Sequence, residues 1–167
     1  MRTEFKYAAI ISAILFLWLC VEFWLGFNDA YVDLLPVSSL LTLAVWGILL
    51  HLEIREKRSK GIGRRWSFSR GFRTAFLTTL LALPLLLLSR WVFYDLINPD
   101  FFNNVTIKGR EWISASAQTE DNFNNSVKMM EDFFEMKAYQ SITVVFNFLT
   151  GLLFSLILPS FSVKNRM

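Results

Sequence analysis

Cysteine is nearly absent from this sequence: of 167 residues only Cys20 carries a thiol. One cysteine inside an apolar run excludes an intramolecular disulfide and a thiolate metal cluster built from a single chain. Histidine is as scarce, and His51 stands without an HExxH pattern, so a metal centre is not expected. No G-x-S-x-G elbow, Walker glycine run or dinucleotide fingerprint occurs, and Gly61-Ile62-Gly63 lacks the strand and helix that would make it a phosphate cradle. The expectation is a non-enzymatic protein with no cofactor. Long polar stretches are few as well, because 54% of the chain is hydrophobic, with 17 Phe and 6 Trp and a mean hydropathy of +0.40. A soluble domain of this size needs a polar face on most of its helices, whereas a lipid-facing surface does not. The pI near 9.2 would by itself suggest nucleic acid, but the charge is partitioned along the chain rather than gathered on one face, so no nucleic acid is expected.

What is present is a set of four apolar segments, at about 5–25, 35–52, 72–94 and 139–158. Backbone groups in hydrocarbon must be satisfied internally, and no segment alternates with period two, so the segments predict helices rather than barrel strands. Arg2 and Lys6 before the first segment resemble the start of a signal peptide. The segment has the length of a full span, however, and ends in Val21-Glu22-Phe23-Trp24-Leu25-Gly26 without a small-x-small cleavage pattern, so it reads as a retained helix. Gly26-Phe27-Asn28-Asp29 closes it, and Asp33 and Pro36 open the second helix. The expected fold is all-α: one polytopic domain over 1–167 with four transmembrane helices and an outer amphipathic helix between helices three and four.

Orientation follows from the charges. Between Ile54 and Arg73, around a connection placed at 53–71, Arg55, Lys57, Arg58, Lys60, Arg64, Arg65, Arg70 and Arg73 stand against Glu56, and short loops rich in Lys and Arg stay in the cytoplasm. The segment 95–138 then lies outside the cytoplasm. It carries Lys108, Arg110, Lys128 and Lys137 against Asp95, Asp100, Glu111, Glu120, Asp121, Glu131, Asp132 and Glu135. Arg2, Lys6, Lys164 and Arg166 place both termini inside. In the outer segment Asn98-Pro99-Asp100 marks a sharp exit from the third span, and Thr119 caps a helix whose Phe123, Val127, Met130 and Phe134 form one apolar stripe. Asn104-Val105-Thr106 and Asn124-Asn125-Ser126 match glycosylation acceptors, which matter only in a secretory-pathway membrane.

Among the polar residues inside the spans, Glu22 and Arg90 should share a depth near the outer boundary, because each lies roughly 25 Å along its helix from the inner end. A structural ion pair, two snorkelling side chains, and a carboxylate on a proton or ion pathway are the three readings. Asn147, near the middle of the last span, suits a hydrogen bond from its side-chain amide across a helix interface, with solute coordination as the alternative. Pro84 interrupts the third span as a packing kink or a hinge. The eight basic residues named above can also hold anionic lipid headgroups at the cytoplasmic face. Trp18, Trp24, Trp46, Trp91, Trp112, Tyr94 and Tyr139 read mostly as lipid-facing or boundary anchors.

Three pieces together resemble a known family. Glu22-Phe23-Trp24-Leu25-Gly26 closes the first span, Trp66-Ser67-Phe68-Ser69-Arg70-Gly71-Phe72 leads into the third, and Tyr94-Asp95-Leu96-Ile97-Asn98-Pro99-Asp100-Phe101 leaves it. They are similar to the four-helix inner-membrane proteins of Bacteroidetes known as domain of unknown function 4199. The resemblance covers nearly the whole chain and implies a bacterial cytoplasmic membrane, while bringing no assigned activity and no catalytic residues. The functions that compete are a structural or accessory subunit of a homo-oligomer or of an assembly with another membrane protein, an ion or small-solute channel or transporter subunit, and, more weakly, a lipid-modifying enzyme in which Glu22 would converge with Asp95 or Asp100.

Overall fold

The computed structural model describes residues 2–27, 35–61, 66–116 and 119–162. Asn28, Asp29, Asp33, Ile62, Gly63, Arg64, Arg65, Lys164 and Arg166 lie outside them. Among the described residues there are six α-helices: α1 (Arg2–Trp24), α2 (Leu35–Lys60), α3 (Phe68–Val92), α4 (Phe101–Ser116), α5 (Glu120–Phe134) and α6 (Met136–Ser162), with a π-helical turn, Phe93–Ile97, continuing α3. The fold is all-α, as expected. Gly26, at φ 75°, supplies the left-handed residue that ends α1, and Phe27 N–H donates back to Glu22 O at 2.9 Å.

Among the described residues three helical segments, not four, are long and apolar enough to cross a membrane: Arg2–Trp24, Phe68–Ile97 and Met136–Phe161. The expected second span is corrected by α2. Over its described side chains the apolar run of α2 covers only 40–52 before Glu53, Arg55, Glu56 and Lys57 follow, short of the roughly 20 residues that a span requires. The basic connection is corrected too, since α2 continues unbroken through Glu53, Arg55, Glu56, Lys57, Arg58 and Lys60. The segment 95–138 holds two helices where one was expected.

Contacts fix how the long helices run. Ser12 and Ala82 meet near the middle of α1 and α3, and Phe23 meets Phe93 at their ends, so these two are parallel. Lys57 reaches Thr74 and Glu53 reaches Thr78, so α2 runs against α3. Tyr94 meets Tyr139 while Thr79 packs on Gly151, so α6 also runs against α3. A Cβ at Gly151 would collide with Thr79, and the bare backbone lets α3 and α6 approach closely, the usual use of small residues between membrane helices. The start of α1 and the end of α6 therefore share one end of the bundle.

Two cores result. Ala8, Ile11 and Leu15 pack with Trp46, Leu50 and Ile54 and with Ala75, Ala82 and Leu86 between α1, α2 and α3. At the other end Phe93, Tyr94, Phe101 and Val105 are buried, with Phe102, Phe134 and Tyr139 against them. Asn98-Pro99-Asp100 makes the expected break: Asn98 N–H closes the π-turn on Phe93 O at 2.8 Å, and α4 starts at Phe101. Thr119 caps α5, its hydroxyl accepting from Asn122 N–H at 3.3 Å. Phe123, Val127, Met130 and Phe134 are all half-buried, and α4 and α5 are clasped by Arg110 and Glu131.

Candidate functional site

The densest polar arrangement lies between the start of α1, the end of α2 and the start of α3. Residues at i and i+4 share a helix face, which places Glu53 with Lys57, Glu56 with Lys60, and Thr74 with Thr78. Glu53 is fully buried, and one of its oxygens accepts from Thr78 Oγ1 at 2.5 Å. Its Oε2 is buried with no hydrogen-bond partner among the described residues. Lys57 turns inward, pairing with the buried Glu4 and lying 3.2 Å from Thr74 Oγ1. Beside it Glu56 accepts from Lys6 Nζ and from Tyr7 Oη, both at 2.8 Å, and from Lys60 Nζ at 2.6 Å.

The two carboxylates on α2, which lies outside the three spans, are driven in opposite directions. Burial pushes Glu53 up to about 8, helped by the negative charges of Glu4 and Glu56. Hydrogen bonds from Lys6, Lys60 and Tyr7 hold Glu56 at about 2. At neutral pH Glu53 thus carries a proton in a dry interior, while Glu56 is an ionised hub that ties α1 to α2.

The residues singled out by the sequence fall as follows. Glu22 is buried near the end of α1, Arg90 is half-buried in the last turn of α3, and Tyr94 is buried beside them at the same end of the bundle. Asn147 is buried, accepting from Trp46 Nε1 at 2.9 Å and donating to Thr143 O at 2.8 Å, which joins α6 to α2. Trp46 and Tyr94, read as boundary anchors, are instead core residues; the Trp46 indole N–H is satisfied inside by Asn147, which removes its need for the interface. Trp24, Trp91 and Trp112 are exposed. Pro84 sits on the exposed side of a helix that continues through it, and the change of hydrogen-bond register comes later, at Phe93–Ile97.

Of the basic residues, Arg55, Arg58, Lys60, Arg70 and Arg73 are exposed, whereas Lys57 is committed to Glu4. Asp95 and Asp100 are exposed while Glu22 is buried. The cluster around Glu4 and Glu53 was missed because the two acids border stretches read for their basic residues. Its signal was the paired i, i+4 spacing of Glu53 with Lys57 and Glu56 with Lys60.

These features define a polytopic, all-α membrane protein whose buried polar groups link helix to helix. The particular family follows from the sequence as a whole. The chain belongs to the family described as "Protein of unknown function (DUF4199)", whose model matches residues 6–163. No curated protein and no solved structure matches it.

Proposed function

We propose that this chain is a non-enzymatic subunit of a homo- or hetero-oligomeric assembly in the bacterial cytoplasmic membrane, with its basic end on the cytoplasmic side. The observation that carries the reading is the α4–α5 hairpin. It is anchored to the bundle by the aromatic cluster, and it offers Glu111, Glu120, Asp121 and Asp132 together with the exposed Trp112 and Met129. A rigidly seated surface that mixes acid with large apolar side chains suits protein docking. Inside the bundle, the pairs Lys57 with Glu4, Thr78 with Glu53 and Trp46 with Asn147 join helices, which supports a scaffold. The exposed arginines at the basic end suit anionic headgroups and an inward orientation.

Extraction from the native membrane in mild detergent, followed by native mass analysis, tests the assembly. A complex larger than one chain is expected, and Trp112→Ala with Met129→Ser should weaken it. A strictly monomeric species without partners overturns the proposal.

A channel or transporter subunit is the second reading, favoured by the buried Glu53 that holds a proton at neutral pH. Proton and ion flux in proteoliposomes measures it directly, and no flux above empty liposomes across pH and potential removes it. Glu22→Gln separates the two: it should weaken assembly under the first and alter flux with assembly intact under the second.

A further inference from the structure

A groove of about 530 Å³ runs along the outer face of the α2–α6 seam, walled by Leu43, Ala44, Gly47, Ile48, Leu52 and Phe154 and reaching His51 at one end. Its walls are apolar apart from that histidine. From Leu43 to Leu52 it follows α2 for about 14 Å, comparable in length to the acyl chains that fill half of a roughly 30 Å hydrocarbon core. Gly47 sets its floor: even a Cβ there would press on the Phe154 ring, so the backbone itself forms part of the wall.

The groove points at charge. On α2, Arg55 follows His51 by one turn on the same face, and both are exposed. The neighbouring carboxylate is already compensated, because Glu56 is held by Lys6 and Lys60, and Glu53 faces inward to Thr78. What lies beyond the apolar slot is therefore a cationic end.

We infer that this groove is a binding site for one anionic phospholipid, an acyl chain lying along Ala44 and Gly47 and the phosphate meeting Arg55 and His51. The inference deepens the headgroup reading of the basic end and does not depend on the assembly reading. An apolar slot alone accepts any lipid tail, and the arginine beyond it makes the site selective for negative charge.

The purified full-length protein in mild detergent is titrated with phosphatidylglycerol or phosphatidylcholine, and bound lipid is counted by native mass spectrometry. One phosphatidylglycerol per chain is expected, favoured about fivefold over phosphatidylcholine. Arg55→Gln, at an exposed position, should bring that ratio to about one. Ala44→Trp, also exposed and in the slot, should reduce retention of both lipids. Lys128→Gln on α5 should leave both unchanged. Equal binding of the two lipids by the wild-type chain, or an Arg55→Gln variant that keeps the preference, overturns the inference while leaving the assembly reading intact. A dimer that Ala44→Trp dissolves assigns the groove to a second copy and overturns it as well.

Discussion

At the end of the bundle where α1 begins, three helices meet through a few directional contacts among Glu4, Lys57, Thr74, Glu53 and Thr78. At the opposite end the π-turn, α4, α5 and α6 meet through rings. Tyr94 lies within about 6 Å of Phe93, Phe101, Phe102 and Tyr139, and Tyr139 in turn meets Phe133 and Phe134. The first arrangement depends on every charge finding its partner, and removing one group strands another in a dry interior. The second distributes its contribution over many contacts, each tolerant of small shifts. The two ends should therefore respond differently to mutation, to pH and to salt.

The largest expected effect is at the polar end. Lys57→Met removes the cation beside buried Glu4 and should cost about 3–5 kcal/mol, read as a lowered midpoint in thermal melts of the detergent-solubilised protein. A loss below about 1 kcal/mol would mean that the pair contributes little there. Phe93→Ala cuts into the aromatic end at a fully buried ring in contact with Phe23 and Tyr94, and about 3 kcal/mol is expected. That loss should be the same at pH 5 and pH 9, since no charge is involved.

Glu53→Gln sharpens the comparison through pH. In the folded chain Glu53 titrates near 8, against an ordinary 4.5 when unfolded. The unfolded chain therefore gives up the proton first as pH rises. Wild-type stability from this group is greatest below about pH 4.5, falls as pH rises toward 8, and is level above that. Glutamine keeps an acceptor for Thr78 and has no proton to lose, so the variant should gain on the wild type across that window, by on the order of a few kcal/mol at pH 9. Parallel melts at pH 5 and pH 9 would show it, and a difference independent of pH would place Glu53 in a wetter setting than its burial implies.

The contrast also explains what the sequence disclosed. Apolar run length carried α1, α3 and α6, because the hydrocarbon imposes one requirement on every spanning helix. Thr119 and the stripe from Phe123 to Phe134 marked α5, whose cap and face are local properties. α4 was hidden: Asn103, Asn104, Thr106 and Gly109 are poor helix formers, and it forms where Phe101 and Val105 are buried among rings contributed from distant parts of the chain. The continuation of α2 through the basic stretch was hidden for a related reason. A net-charge reading sets Glu56 against its basic neighbours and passes over Glu53, whereas in three dimensions each acid has its own task. The groove between α2 and α6 was equally invisible, since Phe154 and Leu158 join Gly47 and His51 only after α6 returns alongside α2.

The smallest predicted effect tests whether the aromatic end owes anything to charge. Arg110 on α4 donates to Glu131 on α5 through Nε at 2.9 Å, and both side chains are more than one-third exposed, 56% and 38%. Two exposed ions gain little in water and lose rotamer freedom when paired, so Arg110→Gln should cost under about 1 kcal/mol. Salt should mimic it, since screening at 0.5 M weakens an exposed pair more than the part-buried Lys57–Glu4 pair. If the rings hold the hairpin, amide exchange in α4 and α5 will be unchanged in Arg110→Gln and faster in Phe93→Ala. The reverse order would make the ion pair, rather than the aromatic cluster, the element that seats the hairpin on the bundle.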